Sequence, residues 1–337
     1  MSTVRLPMGW TVRPATIEDA EAVSRLFNAT SLRFAGTSQT TEDAIRAWMS
    51  RPRIDLNANT RLVLDDSGHP AAWAHIRDPG EPYVNLGTGL HVASKYKADP
   101  VLWDALCEWC EVRASEYIAK APSGARVALG FSGFAEDEPR WDVLRRRGAT
   151  QVRILNRMRI DLHGALPCPA WPVGIEVRTY RHDDDLRSLV AAVQEAFADH
   201  WGFVETPLEE EVAQWRDRLQ ANAEQFDPSL WFVAVDGEEL VGFSLCSNEI
   251  GGDSSRSELD PLGVRKPWRG RGIGLGFLHH AFRELQSRGM QAVELEVDSE
   301  SLTGATRLYE RAGMRVIRSQ YLYEKELRAG TDLMKRG

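Results

Sequence analysis

Leu259-Asp260-Pro261-Leu262-Gly263-Val264-Arg265-Lys266-Pro267-Trp268-Arg269-Gly270-Arg271-Gly272-Ile273-Gly274 is the most informative segment of this 337-residue chain. It predicts a strand, a turn and a glycine-rich entry into a helix. The apolar face of that helix is Ile273, Phe277, Leu278, Ala281, Phe282 and Leu285, at helical spacing. Glycines let the backbone approach a ligand closely, and the first-turn N–H groups of the helix are free to point at it. With Arg265, Lys266, Arg269 and Arg271 alongside, the segment suits a polyanion, most naturally a pyrophosphate. A dinucleotide fingerprint from Gly270 would require glycine at position 275, which is Leu275, and a Walker A G-K-[ST] is absent.

Downstream, Val293-Glu294-Leu295-Glu296-Val297-Asp298 predicts a strand. It leads into Ser301-Leu302-Thr303-Gly304-Ala305-Thr306-Arg307-Leu308-Tyr309-Glu310-Arg311-Ala312-Gly313-Met314. Together, the Arg269-x-x-Gly272-x-Gly274 spacing and the Ala305-x-x-Leu308-Tyr309-x-x-x-Gly313-Met314 segment resemble the two signatures of the GCN5-related N-acetyltransferase (GNAT) superfamily, over about residues 175–327. Met314 replaces the usual Phe, and Ser301 stands where many members carry Asn.

The resemblance implies direct attack of an amine on the thioester of acetyl-CoA, with no acyl-enzyme. The Val264 backbone would hold the pantetheine arm, and Arg269, Gly270, Arg271, Gly272, Ile273, Gly274, Leu275 and Ser301 would complete the cofactor site. The Leu262 N–H would act as oxyanion donor, and Tyr309 would protonate the departing thiolate. By position alone Tyr309 equally suits a core tyrosine, on one helical face with Leu302, Ala305, Leu308 and Ala312.

An amine of pKa about 10.4 is neutral in only about a few molecules per ten thousand at pH 7, so a general base is expected. Glu258 and Asp260 alternate on the strand entering the site, sharing a face with Leu262, and either carboxylate fits the role; both also suit a solvated strand. Asp199, His200 and Trp201, between the first two helices of this half, are the candidate acceptor-binding residues. The acceptor is expected to be a small-molecule amine. A non-catalytic acyl-CoA-binding sensor is the alternative.

The chain repeats itself with a period near 165 residues. Val12-Arg13 and the run Ala22, Val23, Leu26, Phe27 echo Val177-Arg178 and the run Leu189, Val190, Val193, Phe197. Leu62 to Gly68 echoes Phe232 to Gly237 as a hairpin, and helices ending at Gly148 and Gly313 close the two copies. Strands alternating with helices and hairpins predict an α/β or α+β mixed sheet in each half. The proline-rich run His163 to Pro172 is a linker, giving domains at 1–165 and 173–337. In the first half, Val92 aligned on Val264 puts Lys97 at the Arg269 position and Pro100 at Gly272; Leu144 falls at Tyr309. That copy is expected to bind no cofactor, leaving one acetyl-CoA per chain. The tandem arrangement is similar to that of the mycothiol synthases, which acetylate the cysteinyl amine of a glycoside.

Composition sets the remaining bounds. A net charge of −8, carried almost wholly by residues 166–337, argues against a nucleic-acid partner. No run approaches the roughly 18–20 apolar residues of a membrane span, and the first residues carry no secretory pattern. A cytoplasmic monomer or homodimer without a metal is expected. Cys107 and Cys110 sit at the spacing of a buried helix face beside Leu102, Trp103 and Leu106, which favours a core helix over a metal or redox pair.

Overall fold

The computed structural model describes residues 6–77, 80–221, 226–301 and 304–335, and falls into two compact units. One comprises Met1–Ile154 with Gln320–Met334, the other Leu155–Ser319 with Lys335–Gly337.

The first unit runs β1 (Thr11–Arg13), α1 (Ala20–Ala35), α2 (Glu42–Met49), α3 (Leu56–Asn59), β2 (Thr60–Leu64), β3 (Pro70–Arg77), β4 (Asn85–Val92), α4 (Pro100–Ser115), β5 (Val127–Phe134) and α5 (Glu138–Arg146). Gly36 at φ 70° ends α1, and Asp99 caps α4 by accepting from the Val101 N–H at 2.9 Å, with Pro100 in the first turn. The buried side of α1 and α2 covers Leu62 and Trp73. On α4, Leu102, Trp103, Leu106, Cys107 and Cys110 are buried, and burial pushes the Cys107 thiol up to about 12. The Cys-x-x-Cys therefore sits in the apolar core of this helix.

The second unit contains β6 (Thr150–Asp161) from Leu155 onward, β7 (Ile175–Thr179), α6 (His182–Phe197), α7 (Leu208–Ala221), β8 (Trp231–Asp236), β9 (Glu239–Cys246), β10 (Arg256–Val264), α8 (Ile273–Ser287), β11 (Ala292–Asp298) and α9 (Ala305–Arg311), and it ends in the first residues of β12 (Arg315–Arg328). Its strands follow the order β6-β11-β10-β9-β8-β7, and those of the first unit β1-β2-β3-β4-β5-β12. All six residues expected on the apolar face of α8 are buried against one face of the second unit's sheet. Each such Leu or Phe contributes roughly 1.5–3 kcal/mol on burial. The opposite face is covered by α6 and α7 through Leu189, Val190 and Val212 over Val233 and Phe243.

The compact units differ from the contiguous spans 1–165 and 173–337 by an exchange of strands. Gln320 to Arg328 of β12 pair antiparallel with β5 in the first unit, whereas Leu155 to Asp161 of β6 pair antiparallel with β11 in the second. Each unit thus takes its sixth strand from the C-terminal end of the other stretch of chain. Repeat spacing cannot report this, because a β-strand pairs equally well with a remote segment of the same chain.

Candidate active site

The site of the second unit arises where two parallel neighbours part company. β10 pairs with β11 only over Arg256–Glu258 against Ala292–Glu294. Beyond that point β10 stays with β9, through a register shift between Leu259 and Leu262, and β11 stays with β6 as far as Asp298. The Arg265 N–H bonds the Val241 C=O at 2.9 Å, so by antiparallel alternation the main-chain groups of Val264 and Leu262 face the opening. Gly263 is fixed by packing, since a Cβ there would lie 2.3 Å from the Phe243 ring.

The opening leads into a cleft of about 550 Å³. Its walls carry Asp260, Leu262, Val264, Glu296, Ser301 and Tyr309, and its mouth is formed by Arg269, Gly270, Gly272, Ile273, Gly274 and Leu275. Gly270 and Gly272 take φ 75° and 91°, a region in which an L side chain is strained by roughly 1–2 kcal/mol. The helical ladder of α8 begins with the Gly276 N–H to the Gly272 C=O at 3.0 Å, which leaves the preceding N–H groups unclaimed by the helix. Gly274 lets α8 approach α9: a Cβ there would lie 3.1 Å from Leu308. An apolar slot ending in a backbone-amide cradle fits an extended pantetheine with a pyrophosphate at its outer end.

The Arg269 guanidinium, at the cleft mouth, is engaged by the protein itself. Its guanidinium donates to the Val264 C=O at 3.1 Å and the Ala196 C=O at 2.7 Å, and pairs with Asp199 at 3.0 Å. It braces the loop that carries the glycines. Asp199, which also lies 3.6 Å from Lys266, and His200, which lines this cleft, therefore sit beside the loop at the mouth. Trp201 follows them, half-buried, and lines neither cleft of this unit.

The two candidate bases stand in different surroundings. Asp260 lines the main cleft with Leu262, whereas Glu258 lies outside it and meets Asp260 only in a second, adjoining cleft. Glu258 is held by the Arg157 guanidinium, which also bonds the buried Glu294 at 2.9 Å. Asp260 opens on the main cleft, yet protein hems in its carboxyl; this burial, with Glu258 adding repulsion and Arg157 opposing it, raises its pKa to about 6. Tyr309 is buried and lines the same cleft; burial, then the charge of Asp260, pushes its hydroxyl up to about 12. Leu302, expected on the same helical face, lies outside the described residues.

A second cleft of about 340 Å³ meets the first at Asp260 and Pro261. Trp215, Phe226 and Trp231 wall it, and Glu258, Asp260 and Asp227 supply three carboxylates against the guanidinium of Arg218. Sequence reasoning did not find this cleft, because its walls come from four separated segments. Glu296 was also missed. It faces the main cleft and burial raises its pKa; the Glu294, Glu296, Asp298 alternation along β11 was the available signal.

The first unit has the same parting of strands, but there a side chain fills it. β4 and β5 pair from Asn85–Ala128 to Thr88–Phe131, and the Ala93 N–H bonds the Ala71 C=O at 2.8 Å, as Arg265 does with Val241. Arg140, reaching from α5, donates to the Leu90 C=O at 2.6 Å and to the Ser132 C=O. Its guanidinium lies so close over Gly133 that a Cβ there would meet it at 2.2 Å. The Leu90 C=O, at the position of Leu262 in the second unit, is therefore already taken by a side chain of the first unit itself.

The tandem mixed α/β units, each with a parted parallel pair, define the class of acyl-CoA-dependent N-acyltransferases, and in the second unit a glycine-rich helix entry completes the site. A sequence profile of the acetyltransferase (GNAT) family matches residues 190–314. The mycothiol acetyltransferase of Actinosynnema mirum is 31% identical over 299 residues, covering 88% of this chain and 92% of that protein. The mycothiol acetyltransferase of Thermobispora bispora is 33% identical over 198 residues, a stretch covering 57% of this chain and only 58% of that relative's length. Among solved structures, a GCN5-related N-acetyltransferase from Sphaerobacter thermophilus superposes with a TM-score of 0.80 at 31% identity, over 97% of this chain and 99% of the other. The chain belongs to the GNAT acetyltransferase family, whose acyl donor is acetyl-CoA. No helix among the described residues is long and apolar enough to cross a membrane.

Proposed function

We propose that the second unit transfers an acetyl group from acetyl-CoA to a primary amine of a small molecule, by direct attack within a ternary complex. The observation that carries this reading is the meeting of the two clefts at Asp260: a cofactor-shaped slot on one side, an aromatic and acidic chamber on the other. A protonated amine is drawn to the carboxylates of the second cleft, with Trp215, Phe226 and Trp231 offering faces for the cation or for the body of the acceptor.

The roles follow from the environment of each group. Asp260, with its pKa raised to about 6, is ionised at neutral pH yet basic enough to take the proton of the attacking amine, directly or through one water. The Leu262 N–H faces the opening and would donate to the oxyanion of the tetrahedral intermediate. The backbone of Val264 would hold the pantetheine arm, and the amides from Gly270 to Leu275 would cradle the pyrophosphate. Tyr309 keeps its proton at neutral pH and would deliver it to the thiolate.

The two proton transfers are coupled. The charge of Asp260 is one cause of the high Tyr309 pKa, so protonation of Asp260 by the amine makes Tyr309 a stronger acid as the thiolate leaves.

Within this reading, the acceptor most consistent with the relatives is one like that of a mycothiol acetyltransferase, the cysteinyl amine of a glycoside, for which stacking aromatic walls and carboxylates are suited. The test is a steady-state study that follows CoA thiol release with a panel of amines, varying both substrates. Intersecting initial-velocity lines are expected. Parallel lines would indicate an acyl-enzyme, and no turnover with any amine despite acetyl-CoA binding would favour the sensor alternative.

A further inference from the structure

The parted strands of the first unit leave a small cavity beside Arg140, of about 210 Å³. Its lining includes Arg77, Arg140, His75, His91, Thr30 and Ser132, and no carboxylate among the described residues contributes to it. That is unusual in a chain of net charge −8. Behind the lining, Asp137 is shared between Lys97 at 3.0 Å and Arg140 at 3.4 Å, two cations on one buried carboxylate. Arg77 makes no ion pair among the described residues; its guanidinium lies over Gly87, where a Cβ would meet it at 2.6 Å. Positive charge around the cavity is thus under-compensated by protein.

The polar atoms tell the same story. The Thr30 hydroxyl is buried without a hydrogen-bond partner, and so are Nδ1 of His75 and Nδ1 of His91. Both imidazoles are held in the neutral form by burial, then by neighbouring cations, so each Nδ1 can carry a proton and donate. Buried polar groups in native proteins are nearly always satisfied, so this convergence marks a place for an absent acceptor. Water satisfies donors but not charge, whereas an oxyanion does both.

We infer that the first unit, its cofactor opening filled by Arg140, carries a separate binding site for a compact oxyanion, a small carboxylate or a phosphate, held by Arg77, Thr30 and the two histidines. The cavity holds the volume of about seven liquid waters, at ~30 Å³ each, which limits the ligand to a few non-hydrogen atoms. This inference does not depend on the acetyltransferase reading.

The test is calorimetric titration of the full chain with inorganic phosphate and, separately, with malonate, at constant ionic strength with chloride as the reference anion. One saturable site is expected for at least one of the two oxyanions, and which of them binds distinguishes phosphate from carboxylate. Arg77→Gln removes a charge-assisted contact and is expected to raise the dissociation constant about tenfold or more. Thr30→Val, a near-isosteric change, is expected to weaken binding several-fold, and both variants should bind acetyl-CoA as the unaltered chain does. The proposal is overturned if neither oxyanion saturates at tens of millimolar, if Arg77→Gln leaves binding unchanged, or if that variant loses an acetyl-CoA equivalent.

Discussion

In the proposed reading Asp260 is the base and Tyr309 the acid, and the protein crowded around each carboxyl or phenol raises its pKa. Desolvation raises both groups, which leaves Asp260 ionised above about pH 6 and Tyr309 protonated at every physiological pH. The free enzyme should therefore show kcat/KM rising with pH through an inflection near 6, and Asp260→Asn should abolish that limb while lowering the plateau about a hundredfold or more. The same substitution bears on stability. A carboxyl whose folded pKa lies above its unfolded value supports the fold below pH about 4 and loses that support as pH rises through 6. Asp260→Asn should thus raise the melting temperature at pH 8 and leave it nearly unchanged at pH 4, as thermal unfolding at the two pH values would show. Tyr309→Phe keeps the buried ring and removes the proton donor. It should lower kcat by about two orders of magnitude with little change in the acetyl-CoA KM, and an unchanged kcat would reassign Tyr309 to the core.

At the scale of elements, the decisive feature is a strand that changes partner. The pairing of β10 with β11 ends at Glu258, and the space so created is then lined by residues that the local sequence selects: Gly263 for the Phe243 ring, Gly270 and Gly272 for positive φ. The glycine entry to α8 was legible in the sequence because helix starts and left-handed turns are local, and each demands a residue type within a few positions. The same holds for the apolar face of α8 and for the glycine stops at 148 and 313, both with positive φ. Asp199, His200 and Trp201 were legible as chemistry but not as place: only the Arg269 bridge shows that Asp199 belongs to the loop at the cleft mouth. The aromatic walls of the second cleft left no trace in spacing, since Trp215, Phe226 and Trp231 meet through tertiary folding alone. Gly272→Val forces a β-branched residue to φ 91° at the helix entry. It should weaken acetyl-CoA binding about tenfold or more while the apolar face of α8 keeps the unit folded, which far-ultraviolet circular dichroism would verify.

At the scale of the whole molecule, two units share a design but spend it differently. In the second, parted strands open a cleft; in the first, Arg140 bridges the Leu90 and Ser132 carbonyls across the equivalent gap. The substitution of Pro100 at the helix entry told from sequence that a donor was missing, but not that a buried arginine reaches across the gap between the strands. The exchange of β6 and β12 ties the folding of each unit to chain that lies outside its contiguous span. Residues 1–165 expressed alone lack the strand that pairs with β5 and should aggregate or melt well below the full chain, whereas the same residues supplied with the 320–334 segment in trans should regain protection of the β5 amides from hydrogen exchange.

In the proposed function one open cleft, entered between β10 and β11 and bordered by the glycines at the start of α8, receives acetyl-CoA. Calorimetric titration of the full chain with acetyl-CoA tests it most directly. One molecule bound per chain is expected, with affinity lost in Gly272→Val and kept in Arg77→Gln. Two molecules per chain would show that Arg140 does not close the first unit, and no binding at millimolar acetyl-CoA would contradict the assignment of the cleft itself.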